Sequence, residues 1–214
     1  MSIVQFLSSG FWLEGRLGKP SGAGPFPCAL ITHPHPLFGG SMENNVVYAL
    51  KQALEEKGYL TLCFNFRGVG GSEGRYGNIE GETQDVISAI EFLKMQKEAD
   101  LNRLVICGYS FGGLMVLYAL SQGLSPQGLV LVSPMSPEQG FLKDQKLKKV
   151  LPLNFPALII SGDQDQFFPP SLYPPLLSQS IKSSKIVLVK GADHLFWGFE
   201  DKIKEAVGEF INSL

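Results

Sequence analysis

Short apolar runs alternate with segments of helical period along almost the whole chain, and that alternation limits the possible folds more than any other feature. Two strand-like runs open it, IVQFLS at 3–8 and WLEGRL at 12–17, with a Gly-containing turn between them that predicts a hairpin. CALITH at 28–33 reads as a buried strand. Val46, Val47, Leu50 and Leu54 give one apolar face to a helix over 43–57, which Gly58 stops. YLTLCFNF at 59–66 is a strand, and residues 80–97 form an amphipathic helix with Val86, Ile87, Ile90 and Leu93 on one side. LVICGY at 104–109 is a strand that runs into a helix over 111–122. GLVLVS at 128–133 and ALIISG at 157–162 are further strands. A helix over 170–181, weakened by Pro174 and Pro175, precedes the strand KIVLVK at 185–190, and a helix over 200–213 ends the chain. A hairpin followed by β-α-β-α alternation implies an α/β fold. The expected form is a mostly parallel twisted sheet of about eight strands with helices on both faces and right-handed crossovers. A chain of 214 residues suits a single domain over 1–214.

Composition narrows the functional classes. The net charge of -2 argues against nucleic acid as a partner, since such proteins carry a strongly basic face. Cys28, Cys63 and Cys107 are odd in number, far apart and set in apolar runs, which describes small core residues in a reducing compartment. The opening MSIVQFLSSGFW has neither a basic stretch nor an apolar run long enough for a signal peptide, and no run reaches the ~18 apolar residues of a membrane helix. The expectation is a cytoplasmic protein, a monomer or small homo-oligomer, that acts on a small molecule.

In open α/β sheets ligands bind beyond the carboxyl ends of the strands, so the residues just after each strand carry the chemistry. After the strand at 104–109 comes GYSFG at 108–112, a match to G-x-S-x-G with strand before and helix after. That pattern places a serine, Ser110, on a strained turn with its hydroxyl above the sheet; alone, the same string could be a Gly-rich turn whose serine caps a helix. A serine hydroxyl needs a base to become a nucleophile. In this arrangement the partners follow in the order serine, acid, histidine, and only His194, in GADHLFW past the strand at 185–190, follows Ser110. Between them, after the strand at 157–162, SGDQDQFFPP offers Asp163 and Asp165. The first adjoins the strand and suits ordering the turn, the second reaches further over the sheet, and both spacings are physically tolerable.

With these residues in place the chain resembles an α/β-hydrolase. It is similar to a compact, lidless bacterial group related to dienelactone hydrolase, marked by HPHP with FGGSMENNVV, FNFRGVGGSEG, GYSFGG, SGDQD and GADHLF, all present in order. The resemblance covers nearly the whole chain. Its G-x-x-D pattern puts the acid of a catalytic triad on Asp165, with Ser110 as nucleophile and His194 as base. Dienelactone hydrolases carry cysteine at the nucleophile position; serine here implies esterase-type chemistry, with no metal or organic cofactor. An oxyanion hole is implied from the backbone N–H of Phe111 and one N–H in the loop after the strand at 28–33. In that loop, THPHPLFGG, Pro34 and Pro36 have no N–H to give, so His35 is the first donor and Leu37 the second choice; the resemblance aligns His35.

Other readings of the same residues are weaker. His33 and His35 precede Ser110 and lack a third ligand for a metal, so they are expected to pack and to hold their loop. FNFRGVGGSEG has Glu73 where a dinucleotide fingerprint needs glycine, and Arg67 within it reads as a structural charge. Residues 135–156 are the one place for a lid. They carry Lys143, Lys146, Lys148 and Lys149, expected as a solvated loop or helical turn, with guidance of an anionic substrate as the sharper alternative. The expected activity is cleavage of small carboxylic esters through an acyl-enzyme. The same machinery also serves peptidases, thioesterases and acyltransferases, and a non-catalytic relative acting as a binding module is a further alternative, disfavoured because all three triad residues are present.

Overall fold

In a computed structural model, residues 2–137, 143–149, 152–171 and 183–214 are described. Their strands form one sheet in the order β1-β2-β4-β3-β5-β6-β7-β8. The hairpin β1 (Ser2–Ser8) and β2 (Phe11–Gly18) is antiparallel, and β2 joins the rest antiparallel through β4 (Leu60–Phe64). The other pairs are parallel: β3 (Phe26–Thr32), β4, β5 (Ala99–Tyr109), β6 (Gly128–Val132), β7 (Ala157–Gly162) and β8 (Ser184–Val189). The mostly parallel α/β sheet read from the alternation is therefore observed, with eight strands. β5 starts earlier than its apolar run, because Ala99 and Asp100 pair with Phe26 and Pro27 before a register shift.

β4, β6 and β7 are buried at every position, as strands covered on both faces must be. Side chains alternate between two cores. Leu30, Leu62 and Ile106 face one side, packed under α2 (Glu80–Lys94) and α3 (Phe111–Leu120). Ile31, Cys63 and Val105 face the other, under α1 (Asn45–Glu56) and α4 (Glu200–Ile211). α1 starts at Asn44, whose Oδ1 accepts the Val46 N–H at 2.9 Å, and it ends before Gly58 at φ 77°. The three cysteines are buried free thiols, and burial pushes those of Cys28 and Cys63 up to about 12, which makes them inert core residues.

All ten residues of α3 are buried. Part of its cover is the segment 143–149, which ends in a short 3-10 turn, Leu147–Lys149. Leu147 enters the core, Asp144 accepts the Tyr118 hydroxyl at 2.8 Å, and Lys146 lies over the Tyr118 ring and pairs with Glu80 at 2.9 Å. The expected helical turn is present, and its Lys146 is already partnered. The helix expected over 170–181 lies, but for its first two residues, outside the described residues.

Candidate functional site

Ser110 sits between β5 and α3 with φ 52° and ψ -118°, a conformation that L-residues avoid. The turn is locked from several sides. The Ser110 N–H donates to the Val132 carbonyl at 2.9 Å, and the Ser110 carbonyl accepts from Met135 at 2.8 Å and Gly113 at 3.0 Å. Both glycines of the motif are demanded by close approach. A Cβ on Gly108 would stand 2.5 Å from the Gly113 Cα, and one on Gly112 would stand 2.6 Å from the His33 carbonyl and the Thr32 hydroxyl. The start of α3 is thus pressed against the end of β3, next to the loop that follows it.

His194 and Asp165 reach the same point from the ends of β8 and β7. His194 Nε2 lies 2.9 Å from Ser110 Oγ, and His194 Nδ1 lies 2.9 Å from Asp165 Oδ2. An ionised carboxylate only accepts, so Nδ1 carries the proton and Nε2 is left to accept from the serine hydroxyl. Asp165 is buried. Burial by itself would raise its pKa, but the His194 hydrogen bond, the Ser133 hydroxyl dipole and the Phe168 N–H together hold it below the ordinary carboxylate value. Its other oxygen, Oδ1, accepts the N–H of Phe167 at 2.9 Å and of Phe168 at 2.8 Å. Ser133, at the end of β6 with φ 39°, has no partner in strict hydrogen-bond geometry among the described residues, so its effect on Asp165 is that of a nearby dipole. Asp163 does the turn-ordering expected of it: Oδ1 accepts the Gly191 N–H at 2.7 Å and ties the ends of β7 and β8 together.

The loop bearing His194 is braced by residues that sequence reading did not single out. Tyr109, the last residue of β5, donates its hydroxyl to the His194 carbonyl at 2.7 Å. Asn45 Nδ2, at the start of α1, donates to the Leu195 carbonyl at 3.1 Å and to Glu200 at 2.9 Å. Phe196 holds φ 56° with its ring fully buried, so the chain turns sharply on an apolar anchor. Only the position of Tyr109 beside Ser110 hinted at a role; Asn45 is 150 residues from Leu195 and carried no signal.

The loop after β3 turns through a 3-10 helix, Pro36–Phe38. His33 anchors it. The ring is fully buried, its Nδ1–H donates to the Pro34 carbonyl at 2.6 Å, and its Nε2 accepts the Phe66 N–H at 3.0 Å. His35 packs its ring 4.6 Å from Phe111 and 5.2 Å from Tyr76. Its Nδ1 accepts the Leu37 N–H at 3.2 Å, which turns that donor back onto its own loop. The backbone N–H groups of His35 and Phe111 have no hydrogen-bond partner among the described residues. No three potential metal ligands cluster among the described residues. Arg67 takes the structural part expected of it: the guanidinium bonds Asp85 through Nε at 3.0 Å and through a terminal nitrogen at 2.6 Å, and Ser8 donates to the same carboxylate at 2.6 Å. That network joins β1, the loop after β4 and α2. A groove of about 360 Å³ between β8 and α4, lined by Val187, Phe199, Lys202 and Glu205 among others, shares no residue with this site.

The sheet order, the strained serine turn and the residues at the carboxyl edge define an α/β-hydrolase. The family model described as serine aminopeptidase, S33, matches residues 37–151, more than half of the chain, and the chain belongs to that family. The matched span contains Ser110 and ends before Asp165 and His194. An uncharacterized protein of Rickettsia prowazekii is 30% identical over 204 residues, covering 93% of this chain and 84% of its own. Among solved structures, an α/β serine hydrolase homologue from Coxiella burnetii superposes with a TM-score of 0.84 at 29% identity, covering 97% of this chain and 96% of that one. An α/β serine hydrolase without lid from Xanthomonas campestris gives 0.83 at 26% identity, covering 99% and 94%. No helix among the described residues is long and apolar enough to cross a membrane.

Proposed function

We propose that this protein is a serine esterase that cleaves small carboxylic esters through an acyl-enzyme, with Ser110 as nucleophile, His194 as base and Asp165 as the acid that orients it. The observation that carries the reading is the unbroken hydrogen-bond chain from Asp165 through His194 to Ser110, at 2.9 Å for each link. Ser110 Oγ bonds to the ester carbonyl carbon as its proton passes to His194 Nε2. Asp165 stabilises the imidazolium and keeps the proton on Nδ1. The N–H groups of His35 and Phe111, without a partner among the described residues, receive the developing oxyanion without reorganising as charge appears. Collapse breaks the bond to the alcohol oxygen, which takes the proton from Nε2. Water then repeats the sequence on the acyl-enzyme. The donors are backbone groups and the neighbouring rings of His35, Tyr76 and Phe111 are uncharged at neutral pH, which suits a neutral acyl substrate of modest size.

The test compares wild type with Ser110→Ala for fluorophosphonate labelling and for turnover of short p-nitrophenyl esters. Wild type labels and turns over; the alanine variant does not label, and its kcat falls by ~10⁴ or more. Wild type that neither labels nor hydrolyses sinks the proposal. Because the matched family is described by an aminopeptidase, aminoacyl p-nitroanilides belong in the same assay. Faster turnover of these than of esters moves the reading to peptide bonds.

A further inference from the structure

Among the described residues, five large apolar side chains stand exposed on loops that leave the carboxyl edge of the sheet: Leu37, Phe38, Phe167, Leu195 and Trp197. Phe167 differs from the rest in what holds it and what it faces. Phe167 is 76% exposed, while the next residue, Phe168, is fully buried. The Phe167 ring centroid lies 5.2 Å from that of His194, with the planes at 59°. Its backbone is fixed by the acid itself, since Asp165 accepts from His194 through Oδ2 and from the Phe167 N–H through Oδ1 at 2.9 Å. One carboxylate therefore sets both the imidazole and the phenyl beside it. The backbone bond would be served by any residue except proline, so it does not explain the choice of phenylalanine. Leaving a phenyl ring in water forgoes the gain from burying it.

The chemistry says which part of an ester meets this ring. When the tetrahedral intermediate collapses, the bond between the carbonyl carbon and the alcohol oxygen breaks and its electron pair goes to that oxygen. The proton on His194 Nε2 moves to the same oxygen, so the alcohol departs on the imidazole side. The carbonyl oxygen is held elsewhere, by N–H groups of His35 and Phe111. The carbon skeleton of the leaving alcohol thus passes next to the ring beside His194.

We propose that Phe167 is a specificity-determining residue for the leaving alcohol, and that the site takes esters of apolar, ring-bearing alcohols ahead of esters of small alcohols. The inference rests on the ester-hydrolase reading above. It is tested by kcat/KM for benzyl and methyl esters of one acid, butyric acid, and for methyl acetate against methyl butyrate. Wild type favours benzyl over methyl. Phe167→Ala lowers the benzyl-to-methyl ratio about five- to tenfold, the size of one aromatic contact, and leaves the ratio between the two acids where it was. Phe167→Tyr keeps the benzyl preference, Phe167→Leu gives an intermediate ratio and serves if the alanine variant fails to fold, and Ile3→Ala, on the far edge strand, keeps the wild-type ratio. A benzyl-to-methyl ratio unchanged in both Phe167→Ala and Phe167→Leu, or an acid ratio that falls as far, overturns the inference. Wild type that labels at Ser110 yet shows no benzyl preference overturns it while the hydrolase reading stands; wild type that neither labels nor turns over removes both.

Discussion

Lowering the pH from 7 to 5 tests the anchor of the loop after β3. The His33 ring is fully buried, with Nδ1–H given to Pro34 and Nε2 accepting from Phe66. A second proton has to go on Nε2 and breaks the Phe66 bond. Burial lowers the His33 pKa from 6.5 to about 4, and the Pro34 carbonyl, which favours a charged ring, offsets only part of this. The unfolded chain takes up its proton near 6.5, so between 6.5 and about 4 it binds more protons than the native state. Stability is therefore fully present above that window and falls as the pH drops through it. The interval is worth ~3 kcal/mol in all, of which ~2 kcal/mol is gone by pH 5. Asp165, held below the ordinary carboxylate value, behaves differently: its stabilisation is lost only as pH falls through its own lower pKa, beneath this window. The assay is urea unfolding at pH 7 and pH 5 for wild type and His33→Gln. Glutamine keeps an acceptor for the Phe66 N–H and does not titrate. The variant is less stable at pH 7, and its loss on acidification is smaller than that of wild type by ~2 kcal/mol. Equal losses in the two proteins refute the reasoning, and so does a wild type whose midpoint does not move.

Two further predictions concern the frame around the site. Arg67→Met leaves the Asp85 carboxylate buried and unpaired and costs ~3–5 kcal/mol, whereas Arg67→Met with Asp85→Leu recovers most of the loss; thermal melts that show equal losses contradict this. Gly112→Ala puts a Cβ 2.6 Å from the His33 carbonyl, which cannot yield without moving the loop, so ~1–3 kcal/mol is lost. An unchanged melting temperature would show that α3 does not press on β3 as described.

Much of the architecture was legible because it is written in local periodicity. Apolar runs such as GLVLV and ALIISG mark strands buried on both faces whatever lies beside them, and G-x-S-x-G needs its glycines for reasons internal to one turn. Strand ends were less legible. β5 extends back to Ala99 only because β3 pairs with it there, which is a fact about a neighbour and not about the segment. Asp163 and Asp165 were both physically tolerable as the acid from spacing alone; in three dimensions one ties Gly191 to the turn and the other accepts from His194. The pair of phenylalanines at 167 and 168 had no visible asymmetry in the sequence, yet one is core and the other stands at the imidazole.

By itself, then, the sequence determined the types and order of the strands and helices seen among the described residues, since each depends on residues close to one another, and it set Ser110, Asp165 and His194 each just past a strand. Tertiary structure alone decided which strands are neighbours, that Ser8, Arg67 and Asp85 close one network, and that His33 holds the loop after β3 by a bond to Phe66. It also decided that the carboxylate reaching His194 fixes Phe167 beside it. Apart from the short bond between Asp165 and Phe167, these contacts join residues well separated in sequence. They exist only once a cooperative sheet has brought its carboxyl edges together, and no local pattern encodes a partner dozens of residues away.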